Sequence, residues 1–236
     1  MAVTRRLQQL KAVFHVLSRD RLRPITGYDI VLTIGGDGTF LDTAHYLKAG
    51  LMLGINSMPK QSVGFFCRAT TETFSEKIDD FLSGRYRVRI LHRLSVEVDG
   101  RLTAPLSLND VLFANINPAG TTRYALEVGR ISEEHKSSGL WIAPAPGSTA
   151  AIRSAGGRVL PLGSKKIQYV VREPYTPPGR AYRLTRGVLN DPATIRITPL
   201  MDDAALFMDG PHAVYRVRRS SRIAIRNAHR PIRAVW

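Results

Sequence analysis

Apolar residues along this chain fall into short blocks whose period changes partway. Near the start, Leu7, Leu10, Phe14 and Leu17 recur at helical spacing, which predicts an amphipathic surface helix over the first nineteen residues. An unbroken apolar run, Ile30 to Ile34, predicts a buried strand. It is followed by a helix from about Thr39 to Leu47 and a second buried strand, Leu51 to Ile55. A further helix is expected from about Glu72 to Leu82, with Thr71 at its N-cap and Phe74, Ile78 and Phe81 on one face. This order of strand and helix predicts a parallel sheet covered by helices, a Rossmann-like α/β arrangement.

After Gly84 the period becomes two. Tyr86, Val88 and Ile90 alternate with arginines, and Leu94, Val96 and Val98 alternate up to an Asp99-Gly100 hairpin signal. Further strands are expected at Val111 to Phe113, Tyr124 to Val128, Leu140 to Ile142, Ile167 to Val171, Ile195 to Ile197, Leu206 to Met208, Val214 to Val217 and Ile223 to Ile225. Only Ser148 to Ser154 reads as helix in this part, and Pro174, Pro177, Pro178 and Gly179 mark a rigid loop. The expected architecture is an N-terminal α/β domain, residues 1–85, and a C-terminal β-sandwich-like domain, residues 86–236.

Composition narrows the setting. The chain has 236 residues, enough for one generous core or two small ones, and 44% of them are hydrophobic. Cys67 is the only cysteine, which excludes an intrachain disulfide and a multi-cysteine metal site and fits a reducing compartment. Residues Met1 to Leu10 lack the apolar core of a secretory signal, and no apolar run reaches membrane-spanning length, so a cytoplasmic protein without a membrane partner is expected. The acid-free, arginine-bearing start shares its composition with organelle-targeting peptides, but a helix packing one face on the core explains it as well. A net charge of +15 favours anionic partners such as nucleotides, nucleic acid or acidic membranes, and equally describes a solvated basic surface. His45 and His212 have no metal-ligand spacing, and no protein metal site is expected.

The sharpest chemistry lies at Gly35-Gly36-Asp37-Gly38-Thr39, directly after the first strand. Three glycines let the backbone bring N–H groups against a phosphate, and the following helix adds a favourable dipole. Neither a Walker loop nor the G-x-G-x-x-G dinucleotide pattern is present. A carboxylate inside an anion-binding turn is costly unless it holds Mg²⁺ or accepts a proton from an attacking hydroxyl, so Asp37 is the catalytic candidate; a plain strand-to-helix turn is the simpler alternative. Pro146-Gly147-Ser148-Thr149-Ala150-Ala151, followed by Ser154-Ala155-Gly156-Gly157, leaves room for a base or ribose, although Ser148 or Thr149 could be an ordinary N-cap. Asn109-Asp110 before a strand suits ribose hydroxyls or a turn.

Taken together, in this order and at these separations, the three segments resemble the NAD kinase family from about Asp29 to Pro174, with a looser echo at Asp209-Gly210. Ser137-Ser138-Gly139-Leu140, Gly147-Ser148-Thr149-Ala150-Ala151, Val171-Arg172-Glu173-Pro174 and Gly54-Ile55-Asn56-Ser57 with Pro59 look most like the plant NADH kinase and mitochondrial NAD kinase branch. The resemblance implies a homo-oligomer, dimer or tetramer, that phosphorylates the 2′-hydroxyl of the adenosine ribose of NAD or NADH from ATP with Mg²⁺. It implies that Asp37 activates that hydroxyl and that Gly35, Gly36, Gly38 and Thr39 border the phosphates. Asn109, Asp110, Ser148, Thr149, Ala150 and Ser154 would contact the dinucleotide.

The chain departs from that pattern in places. Asp110 stands where most bacterial members have Glu, Ser138 where many have an acid, and Ala151 where many have tyrosine; fewer residues also precede the Asp37 strand than in many members. Without an acid near the nicotinamide the cationic oxidised ring loses a partner, which makes NADH a credible substrate. Lipid and sugar kinases share a Gly-Gly-Asp-Gly turn but not the Gly147 to Gly157 pattern. A nucleic-acid-binding role would rest on Arg216, Arg218, Arg219, Arg222, Arg226, Arg230 and Arg233, which lack an interleaved aromatic platform.

Overall fold

The computed structural model describes residues 2–103, 105–179 and 181–236, which fall into two compact units. The first comprises the residues up to Ile90 together with Ile232–Trp236; the second is Leu91–Pro231.

The first unit opens with helix α1 (Ala2–Gln9) and continues through β1 (Ile30–Ile34), α2 (Asp37–Tyr46), β2 (Leu51–Asn56), β3 (Cys67–Thr70), α3 (Phe74–Leu82) and β4 (Val88–Leu91). Strand β2 is the centre of the sheet: all six of its residues are buried, and β1 and β3 pair with it in parallel. A strand covered on both faces carries no polar side, which is why Leu51 to Ile55 reads as a continuous apolar run. Leu51, Leu53 and Ile55 form a core with Val3 of α1 and Phe74 and Ile78 of α3. Arg6 of α1 makes a 2.6 Å ion pair with Asp79 of α3.

The second unit contains β5 (Leu94–Val98), β6 (Arg101–Leu102), β7 (Val111–Asn115), β8 (Thr122–Val128), β9 (Ile131–Ser137) and β10 (Gly139–Pro144), then a 3₁₀ turn at Pro146–Thr149 and the one-turn helix α4 (Ala151–Ser154). It continues with β11 (Ile167–Arg172), β12 (Arg186–Leu189), β13 (Thr194–Pro199), β14 (Ala204–Met208), β15 (Ala213–Val217) and β16 (Ile223–Asn227). These strands form two six-stranded sheets, ordered β12-β11-β10-β7-β14-β15 and β6-β5-β16-β13-β8-β9. Inward residues of both sheets, among them Val96, Phe113, Tyr124, Leu140, Leu206 and Ile225, share one core, as in a β-sandwich. The chain closes with β17 (Ile232–Val235), which pairs in parallel with β2 and lies between β2 and β4 in the first sheet. The expected class, an α/β unit with a parallel sheet plus a β-sandwich, is the observed one.

Three local expectations are corrected. The first helix stops at Gln9, because Lys11 turns into the left-handed region at φ 53° and Lys11 and Ala12 donate back to the Gln8 and Leu7 carbonyls, a Schellman-type stop. Val13 and Val16 beyond it are exposed. The expected helix at Ser148 to Ser154 is instead the 3₁₀ turn, a break at Ala150 and the single turn of α4. Thr73 rather than Thr71 occupies the N-cap of α3, its hydroxyl accepting the Thr70 N–H at 2.9 Å.

Candidate active site

In the first unit β1 runs into the glycine turn and α2 begins at Asp37, with Gly36 in the extended N-cap position. Glycine is required by close approach: a Cβ on Gly35 would overlap the Thr39 hydroxyl, and one on Gly36 would lie 2.6 Å from the Ser62 hydroxyl. Gly36 sits at the N-terminal, positive end of α2.

Asp37 is half-buried, and its two carboxylate oxygens accept the N–H groups of Phe65 at 2.9 Å and Phe66 at 2.8 Å. The loop that supplies them is fixed by Asn56, whose Nδ2 donates to the Ser62 carbonyl at 3.0 Å and whose Oδ1 accepts the Met58 N–H at 3.0 Å. Sequence reading missed the Phe65 and Phe66 amides; Asn56 at a strand end, followed by Gly64, was the available signal. Cys67 is buried beside the turn, and burial, aided by Asp37, pushes its thiol up to about 11, so it is a packing residue at neutral pH.

In the second unit three distant segments meet. A Cβ on Gly147 would overlap the Asn109 carbonyl, so the turn after β10 packs directly on the backbone of Asn109. The Asn109 side chain donates to Asp110 Oδ2 at 3.2 Å, and Asp110 is 4% exposed. Burial, with Asp209 as the second cause, pushes the Asp110 carboxyl up to about 7. Asp209, directly after β14, faces this turn with its carboxylate.

The remaining predicted residues differ in what they can offer. Ser148 is fully buried, and its hydroxyl donates to the Ala145 carbonyl at 2.7 Å while accepting the Leu160 N–H at 3.0 Å. It holds the turn rather than presenting a hydroxyl outward. Thr149 and Ala150 are half-buried and Ser154 is exposed. Ser138 does not join the group: it precedes β10, whereas the Gly147 turn follows that strand, roughly 20 Å away over six residues at strand rise. Among the described residues no three His, Cys, Asp or Glu side chains cluster as a metal site, and no helix is long and apolar enough to cross a membrane.

No family model matches the chain. It is 31% identical over 232 residues to a probable NADH kinase of Oryza sativa subsp. japonica, covering 89% of this chain and 71% of that protein. It is 33% identical over 233 residues to an NADH kinase of Arabidopsis thaliana, covering 89% of this chain and 73% of that one. Among solved structures, an NAD kinase from Archaeoglobus fulgidus in complex with ATP aligns with a TM-score of 0.81 at 21% identity, covering 99% of this chain and 88% of that chain. Yeast NADH kinase complexed with NADH aligns with a TM-score of 0.76 at 19% identity, covering 88% of this chain; this chain spans 62% of the yeast one.

Proposed function

The chain belongs to the family of NAD and NADH kinases, and from that premise we propose that it transfers the γ-phosphoryl group of ATP to the 2′-hydroxyl of the adenosine ribose of NAD or NADH, giving NADP or NADPH. The observation that carries the proposal at residue level is the Asp37 carboxylate at the start of α2, aimed by two backbone N–H groups and bordered by glycines. Each oxygen keeps acceptor capacity beyond the one N–H it receives. Asp37 accepts the proton as the ribose oxygen attacks the γ-phosphorus; the bond from phosphorus to the β–γ bridging oxygen breaks, and ADP leaves with that electron pair. Gly35, Gly36, Gly38 and Thr39 border the phosphates, where the N-terminal end of the α2 dipole offsets their charge.

Mg²⁺ fits as an ion that arrives on the triphosphate. Asp37 is the one carboxylate in the turn itself, and Mg²⁺ is commonly held by one or two carboxylates together with substrate phosphates. When bound, it neutralises charge on the transferring group. Asn109, Asp110, Thr149, Ala150 and Ser154 are assigned to the dinucleotide, with Ser148 shaping the turn that carries Thr149 and Ala150. A homo-oligomeric state and a cytoplasmic location belong to the same proposal.

The test is an end-point assay with ATP and Mg²⁺ that offers NAD and NADH separately and quantifies NADP and NADPH, with Asp37→Asn as control. Product that depends on Asp37 supports the reading. Failure with both dinucleotides and with alternative phosphoryl donors overturns it.

A further inference from the structure

One acidic side chain of the second unit has no part in the proposed chemistry, yet it makes more polar contacts than any residue assigned to it. Asp209 follows β14 in the left-handed region, φ 54°. Its carboxylate accepts the Ser107 hydroxyl at 2.5 Å and the N–H groups of Leu108 at 2.8 Å, Asn109 at 2.6 Å and Asp110 at 3.0 Å. Its own N–H donates to the Asp110 carbonyl at 2.9 Å. Three consecutive N–H groups converging on one anion form a nest, and charge-assisted bonds of this kind are the stronger ones. The backbone gripped in this way is also the surface on which Gly147 packs.

We propose that Asp209 is a positioning residue for the dinucleotide: by gripping the 107–110 turn it aims the Asn109 and Asp110 side chains and seats the Gly147–Ala150 turn. The proposal rests on the assignment of these two segments to NAD or NADH. A single side chain, about a hundred residues downstream of the turn, thereby sets both segments.

The grip also has an electrostatic consequence. Asp209 lies beside Asp110 and also within electrostatic reach of Arg93, which in turn has Arg230 near it. Arg93 is 2% exposed, lies within electrostatic reach of Asp209, and donates from Nε to the Arg230 carbonyl at 2.8 Å. Burial lowers its guanidinium to about 10, with Asp209 opposing that shift. Burial is the main reason the Asp110 carboxyl stands high, and Asp209, a like charge beside it, adds to that shift. Asp209→Asn removes the charge and turns an amide N–H₂ toward donors. Ser107→Ala leaves the charge and removes a hydroxyl that lies within hydrogen-bond distance of both Asp209 Oδ1, at 2.5 Å, and the Asp110 carbonyl, at 2.6 Å.

The experiment measures NADH and ATP binding by calorimetry, kcat and KM for both substrates, and the carbon-13 carboxyl titration of Asp110, in wild type and both variants. For Asp209→Asn the dinucleotide Kd and KM should rise about tenfold or more, with the ATP KM and kcat changed less than about threefold. The Asp110 midpoint should fall by about one pH unit or more. For Ser107→Ala the dinucleotide KM should rise about two- to fivefold with the midpoint unmoved. Equal losses for both substrates with an unmoved midpoint overturn the proposal, since a general structural role would give that pattern. If Asp209→Asn does not fold, an unchanged dinucleotide KM in Ser107→Ala overturns it instead. A wild type that binds no dinucleotide defeats the functional reading itself; wild-type binding that Asp209→Asn does not weaken defeats the positioning role alone.

Discussion

The Asp37 turn of the first unit and the Asp209 turn of the second use the same device, a carboxylate held by backbone N–H groups, but with different spare capacity. Asp37 receives two N–H groups and Asp209 receives three plus a hydroxyl. A carboxylate offers about four lone-pair sites. Asp209 is therefore used up in holding its own chain, whereas Asp37 is oriented and still able to take a proton. Glycine answers to close approach in both regions: a Cβ on Gly36 would meet the Ser62 hydroxyl, a side chain that can turn aside, whereas one on Gly147 would meet the Asn109 backbone carbonyl.

The most severe way to break the comparison is Asp37→Asn. It should lower kcat by about 10²–10⁴-fold, the range of a lost general base, while the folded state persists with a modest loss from two weakened hydrogen bonds. Single-turnover formation of NADP or NADPH, alongside a thermal melt, checks both halves of this expectation. Turnover retained in a folded variant would remove Asp37 from the chemistry and make its turn a structural one like that of Asp209.

Gly147→Ala attacks the second region by filling space. The new Cβ would overlap the Asn109 carbonyl, which is backbone and cannot swing aside. The variant should lose about 1–3 kcal/mol of stability or more, and dinucleotide affinity should fall at least about tenfold while ATP affinity holds. Denaturant unfolding and calorimetry with each substrate measure the two effects. An unaffected variant would mean that the two segments are not coupled through this contact.

The two regions also differ in how far the sequence disclosed them. The Asp37 turn is contiguous, so its glycines, its acid and the strand before it were legible at once. Its hold on the Phe65 and Phe66 amides was not, because backbone donors have no side-chain signature. In the second unit the apolar–polar alternation found β8, β13 and β16, and the Asp99-Gly100 hairpin appears with both residues at positive φ. Strand β9 escaped notice because Ser132, Glu134 and Lys136 occupy its exposed positions and His135 and Ser137 its buried ones. Strands β3, β12 and β17 are four residues long and, unlike β4, hold no alternating pair of large apolar residues, so no period registers. Asp209 showed only as a turn dipeptide, since its role depends on a partner turn about a hundred residues away.

A smaller effect comes from Asp110 itself. Its carboxyl rises from 3.8 to about 7 on folding, so between those values the folded chain holds a proton that the unfolded chain lacks. The stability this contributes is complete below about pH 4 and is lost as the pH climbs through 7. Asp110→Asn mimics the protonated form. Relative to wild type it should be unchanged in stability near pH 4 and more stable by about 1–3 kcal/mol near pH 8, while binding the dinucleotide less well. Urea titrations at the two pH values decide the matter. Equal stability at both would mean that Asp110 is ionised without cost, and the buried pair with Asp209 would need another counter-charge.

The smallest expected effect belongs to Ser138, although its replacement of an acid raised the question of NADH preference. Ser138 is half-buried before β10 and donates its N–H to the Arg172 carbonyl at 3.0 Å, at the end of the strand opposite Pro144 and the Gly147 turn. If the nicotinamide ring binds near Gly147, a charge roughly 20 Å away lies beyond the Debye length of about 8 Å at physiological salt and would act on it weakly. Ser138→Asp should therefore change the ratio of NAD to NADH turnover by less than about threefold, measured as kcat/KM for each form. A change above about tenfold toward NAD would mean that the nicotinamide lies along the Ser138 end of β10. The dinucleotide would then stretch along that strand, with its adenosine end at Asn109 and Asp110.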